Sequence, residues 1–196
     1  MSIPSVMDSY TFTARERKIL EAAAQVFVRY GVKRTSMGDI AEEAGVARQT
    51  LYNVYNSKDD VFRAALNLFH QTMMAGLMDA LEEADTLQER MDIVLEHTIL
   101  APYRQLQALP HGDEFEEGFN TVGKAAIEDG QTAIRHVVAD ILTPYTKALK
   151  SKNMEPVGLA DFLVRSAKAA KMTAKDEAHL KALLGNMKAL VSNAVE

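Results

Sequence analysis

Cysteine and tryptophan are absent from the 196 residues, and proline occurs only five times. Without cysteine there is no disulfide, no thiolate metal site and no cysteine nucleophile, which fits a reducing cytosol. No stretch approaches the roughly 20 apolar residues that span a bilayer. Residues 1–12 have neither a cationic start nor an apolar run of signal-peptide length, so they read as a mobile arm of a cytoplasmic protein without membrane partners. Walker-type and Rossmann glycine motifs are missing. The histidines, His70, His97, His111, His136 and His179, follow no metal-ligand spacing. His111 with Asp113 and Glu114 reads as a solvated loop rather than a cation site. No metal, no cofactor and no catalytic residues are expected, and hence no enzyme.

A basic excess is also missing. The net charge is −5, but residues 1–60 carry eight Lys/Arg against eight Asp/Glu, and the remainder 14 against 19. The N-terminal acids fall in helix interiors and first turns, while the bases gather elsewhere, so a local positive patch survives a neutral sum.

What is present is helical periodicity. No strand pattern survives, and the expected fold is all-α with about nine helices. Thr13 and Glu16 open the first helix, which Gly31 ends. Met37, Ile40, Ala41 and Ala44 predict a short helix over residues 36–44, boxed by Ser36 and Asp39 and stopped at Gly45. A second helix carrying Leu51, Tyr52, Val54 and Tyr55 follows after about three residues. Such a pair fits either an ordinary αα-hairpin or a DNA-binding helix-turn-helix.

The leading end of that second helix favours the latter. Arg48, Gln49 and Thr50 are suited to base edges: Arg to the O6 and N7 of guanine, Gln to the N6 and N7 of adenine. Lys33, Arg34, Thr35, Ser36, Tyr52, Tyr55 and Lys58 surround them as phosphate donors.

The chain then predicts a long helix from residue 58 to about 83, capped by Ser57 and Asp60. Thr86 and Glu89 box the next, which Pro102 interrupts. Residues 113–130 read as irregular helical pieces broken by glycines. Residues 131–150 predict a helix bent at Pro144. Pro156 opens a helix to about 171, and Thr173 with Asp176 caps the last one, residues 174–194.

Ala22–Ala23, Phe27, Gly31, Thr35, Ile40–Ala41, Ala44–Gly45–Val46, Thr50–Leu51–Tyr52, Tyr55 and Lys58 together carry a resemblance to TetR-family transcriptional repressors. It covers roughly residues 13–66. Three positions depart from the family's pattern. Ala47 stands where a capping Ser or Thr is usual, Gln49 where a small residue is common, and Val54 where His or Tyr is frequent.

The resemblance implies a domain division into the arm 1–12, a helix-turn-helix domain 13–57, and a ligand-binding and dimerisation domain 58–196. It implies a homodimeric repressor released from a palindromic double-stranded operator by a small apolar effector. Phe69, Met73, Met74, Met78, Met91, His97, Tyr103, Phe115, Phe119, Tyr145 and Phe162 are the candidate pocket, each of them equally at home in a plain core. Leu159, Phe162, Leu180, Leu183, Leu184, Met187, Leu190 and Val191 are the candidate dimer interface. The rival readings are a helical ligand carrier or enzyme, or a protein–protein scaffold, that keeps the hairpin as a structural remnant.

Overall fold

The computed structural model describes residues 11–110 and 122–196, and these are helical without strands. Residues 1–10 of the expected arm lie outside the described residues, as do His111, Asp113, Glu114, Phe115 and Phe119. In chain order the helices are α1 (Ala14–Tyr30), α2 (Met37–Glu43), α3 (Arg48–Tyr52), α4 (Lys58–Glu82), α5 (Leu87–Leu95) and α6 (Ala101–Gln107). They continue as α7 (Lys124–Leu142), α8 (Thr146–Ser151), α9 (Pro156–Thr173) and α10 (Glu177–Val195).

The chain forms two compact units. One holds the described residues up to Thr72 with those of Leu106–Gly130, and the other holds Met73–Gln105 and Gln131–Glu196. The division into compact units therefore falls inside α4 and inside α7. A boundary read from sequence follows loops, whereas compactness follows side-chain burial, and a long helix can serve two cores.

In the first unit, Ile19, Ala23 and Phe27 of α1 meet Ile40 and Ala41 of α2, Leu51 of α3, and Val61 and Phe62 of α4. The Phe27 and Phe62 rings stand edge to face at 5.3 Å between centroids, a favoured aromatic geometry. The helix starts are locally written. Thr13/Glu16 and Ser36/Asp39 each form both bonds of a capping box. Gly31 and Gly45 have φ of 81° and 65°, where a side chain would strain the backbone.

In the second unit, α10 packs against α5, α8 and α9. Thr86 and Glu89 form a third capping box at α5. Between α5 and α6 the chain makes a π-turn over Glu96–Leu100, with Ala101 N–H donating to Glu96 O. The interruption expected at Pro102 takes this form. Proline has no N–H, and its ring collides with the carbonyl four residues back, so the preceding turn widens. Pro144 likewise sits in a 3₁₀ turn, Thr143–Tyr145, that bends the chain between α7 and α8.

Four local expectations are corrected. α3 ends at Tyr52, so Val54 and Tyr55 lie in the turn after it. The N-cap of α10 is Asp176, which accepts from His179 N–H, while the Thr173 hydroxyl donates to Ala169 O within α9. Ser57 does cap α4 by accepting from Asp60 N–H, but the Asp60 carboxylate pairs with Arg63 instead of reaching back. Finally, α7 runs straight through Gly130. A Cβ there would lie 3.1 Å from the His70 ring, so this glycine marks a close approach of α4 and α7, not a break.

Candidate nucleic-acid interface

The α2–turn–α3 unit is built from short-range rules. Ser36 and Asp39 start α2, Gly45 turns the chain, and Val46 N–H returns to Ala41 O at 2.9 Å. Ala47 offers no side-chain cap, so the start of α3 keeps its free N–H groups. Leu51 is the only fully buried side chain of α3, fixing the helix by one apolar anchor.

Around that anchor, Arg48 and Gln49 are exposed and Thr50 is half-buried. Gln49 Nε2 donates to Asn53 Oδ1 at 3.0 Å, one helical turn on, which orients the Gln49 amide. The Arg48 guanidinium lies against Gly38 of α2. The Ser36 hydroxyl and backbone N–H hold the Asp39 carboxylate well below its usual range, and Arg48 adds to the effect.

Lys33, Arg34, Ser36 and Tyr52 are exposed beside these residues. Arg34 Nε donates to Tyr30 O at 2.9 Å. Lys58 does more than its sequence position suggests. Its ammonium donates to Val32 O at 2.7 Å and Lys33 O at 3.1 Å, tying the loop before α2 to the start of α4. Only tertiary placement brings together groups 26 and 25 positions apart.

Two expected phosphate donors are turned inward, and both assignments are corrected. Thr35 is buried and its hydroxyl donates to Gly31 O at 2.8 Å, stitching the end of α1 to the start of α2. Tyr55 is buried in the core, with its hydroxyl enclosed and without a hydrogen-bond partner. Burial pushes the phenol up to about 12, and the Glu16 carboxylate adds to the shift. The missed contributors are Gly38, which touches Arg48, and Asn53, which holds Gln49. Asn53 is legible as an i,i+4 partner; nothing in the sequence points to Gly38.

The candidate pocket residues do not share one environment. Met74 and Met91 are fully buried. Met73, Met78, His97, Tyr103 and Tyr145 are half-buried. Phe69 and Phe162 are exposed, at 42% and 60%, and neither is enclosed as a pocket wall here. Helical spacing marks an apolar residue but not the direction it faces.

The candidate interface divides likewise. Leu180, Leu184, Met187 and Val191 line the inner face of α10 and are buried within the protomer, so they are withdrawn as partner contacts. Leu190 is 66% exposed, and on α9 Val157, Phe162 and Met172 are exposed too. Leu159 and Leu183 are half-buried. Among the described residues no three His, Asp or Glu side chains gather as a metal site, and no helix is long and apolar enough to cross a membrane.

Residues 19–71 match the profile of bacterial regulatory proteins, tetR family. An uncharacterized HTH-type transcriptional regulator of Bacillus subtilis (strain 168), YezE, is 28% identical over 118 residues, covering 54% of this chain and 61% of that protein. The HTH-type transcriptional regulator TtgR of Pseudomonas putida is 39% identical over 72 residues, covering 36% of this chain and 34% of TtgR. The match thus spans less than two thirds of the length of either relative. Among solved structures, a TetR transcription regulator from Haloarcula marismortui ATCC 43049 superposes with a TM-score of 0.68 at 14% identity, over 90% of this chain and 95% of that one. A TetR-family transcriptional regulator from Streptomyces coelicolor gives 0.62 at 18% identity, over 100% and 97%. At such identities the likeness is one of fold.

Proposed function

We propose that this chain, a member of the TetR family of bacterial regulatory proteins, is a homodimeric transcriptional repressor that reads DNA with α3. The observation that carries the reading is the exposed leading end of α3. Arg48 and Gln49 stand free of the core there while Leu51 anchors the helix beneath them. Lys33, Arg34, Tyr52 and Lys58 are the phosphate contacts, Ser36 is withdrawn because its hydroxyl and N–H both donate to the Asp39 carboxylate, and Thr50 is a third base contact. Phosphate contacts set register and affinity, while base contacts set sequence.

Two copies related by a two-fold axis present two recognition helices, so the operator is a palindrome. The partner face is the outer side of α9 and α10, where Phe162 and Leu190 stay exposed, with Leu159 and Leu183 at its edge. Large exposed apolar groups on adjacent helices mark interaction surfaces. The effector is a small apolar molecule held in the second unit among the half-buried Met73, Met78, His97, Tyr103 and Tyr145. Methionine side chains adapt to irregular ligands. It acts by binding better to a conformation that does not bind DNA. The protein works in the cytoplasm.

The experiment is a binding titration with a duplex enriched from a random-sequence library and with an unselected duplex. Arg48→Ala should cost roughly 1–3 kcal/mol on the enriched duplex and relax one base pair. Equal losses on both duplexes would reduce Arg48 to a phosphate contact.

A further inference from the structure

We propose that Gly38 is a specificity-determining residue: the space left by its missing side chain seats the Arg48 guanidinium and so fixes how Arg48 is presented to a base. The inference rests on the reading of Arg48 as a base contact. Gly38 is the second residue of α2, and Arg48 is the first of α3. A Cβ on Gly38 would lie 2.7 Å from Arg48 Cζ and 2.9 Å from Nε, with Nη2 nearer still. The observed guanidinium position and any side chain at residue 38 therefore exclude each other.

The backbone gives no other reason for a glycine here. Among the described residues the glycines with positive φ are Gly31 and Gly45, and Gly38 lies within α2. Glycine is among the poorest helix residues. The Asp39 carboxylate, already held by Ser36, supplies negative charge near the seat.

The consequence is one of orientation. A bidentate contact to guanine needs the guanidinium plane at a fixed angle, and a free arginine samples many. Restricting that side chain before the encounter lowers the ordering cost of binding. Gln49 is restrained by its bond to Asn53 Oδ1 at 3.0 Å, so both readers are set in advance. A side chain at residue 38 leaves Gln49 as it is and releases Arg48 alone.

The test is a double-mutant cycle in the full-length protein with Gly38→Ala, Arg48→Ala and the pair. The probes are a duplex enriched by the wild type from a random-sequence library and an unselected duplex. Gly38→Ala is expected to lose roughly 5- to 100-fold on the enriched duplex, with little change on the unselected one. Re-selection with Gly38→Ala should alter the base pair that Arg48→Ala relaxes. In the Arg48→Ala background, Gly38→Ala should change affinity by no more than about twofold.

Equal effects in both backgrounds, or no effect in either, overturn the seat. Thermal unfolding adds a second readout. The exposed guanidinium yields at little cost, so Gly38→Ala should melt no lower than the wild type, and a stability loss shared by both backgrounds overturns the seat. If Arg48→Ala itself leaves specific binding intact, or the wild type enriches no duplex, the reading of Arg48 fails and this inference falls with it.

Discussion

The α2–turn–α3 segment and the α9–α10 pair are both helical hairpins, yet they encode their structure differently. In the first, two short helices are fixed by single residues: Ser36 and Asp39 at one start, Gly45 at the turn, Leu51 as anchor. In the second, two long helices are apolar on more than one side. The structure sends Ala160, Leu163 and Ala167 with Leu180, Leu184, Met187 and Val191 inward, and leaves Phe162 and Leu190 outside. Punctuation residues announce their role in sequence. A stripe announces only that something must cover it.

The sharpest way to break this contrast is to place a charge on each side of α10. Leu184→Glu puts a carboxylate at a position 2% exposed, and should cost about 4 kcal/mol or more, unfolding the protein or nearly so. Leu190→Glu, at 66% exposure, should shift protomer stability by only about 0.5 kcal/mol and abolish self-association. Denaturant titration with sedimentation on both variants decides. A stable Leu184→Glu protein would reverse the assigned inner face.

The next effect tests the first unit's core. Burial lowers the His70 pKa to about 4, opposed by Asp129 and by a bond to the Ala126 backbone. The unfolded chain binds a proton near pH 6.5 that the folded chain refuses. Stability is therefore complete above about 6.5 and lost as pH falls toward 4, by up to about 3 kcal/mol. Stability curves of wild type and His70→Leu between those values should diverge in slope. Parallel curves would show that His70 stays solvated when folded.

A smaller effect uses one substitution at two glycines. Gly45→Ala forces a side chain onto φ of 65° and should destabilise by about 1 kcal/mol, although nothing crowds the site. Gly185→Ala, inside α10 and equally uncrowded, should stabilise by about 0.5–1 kcal/mol. Thermal melts of the two variants should move in opposite directions. A shared sign would mean that backbone conformation is not what separates the two hairpins.

The smallest change is Tyr55→Phe. It deletes an enclosed hydroxyl without a partner, so stability should stay level or rise by up to about 1 kcal/mol. A clear loss would reveal a water or side chain bonded to that hydroxyl.

The sequence alone made legible the all-α class, the capping boxes at Thr13, Ser36 and Thr86, the turns at Gly31 and Gly45, and the bends at Pro102 and Pro144. These depend on residues within a few positions of one another, where steric and hydrogen-bonding rules act locally. It also placed Arg48 and Gln49 at the exposed start of α3. It misread Tyr55 and Thr35 as surface donors, because composition shows a hydroxyl but not whether the core closes over it.

Long-range packing was needed to show that Lys58 ties down the carbonyls of Val32 and Lys33, that Gly130 is a crossing point under His70, and that Gly38 receives Arg48. It also chose which stripe of α10 is inside. Each of these depends on atoms brought together from distant positions. A helical period of 3.6 residues defines a face but never the direction in which it points.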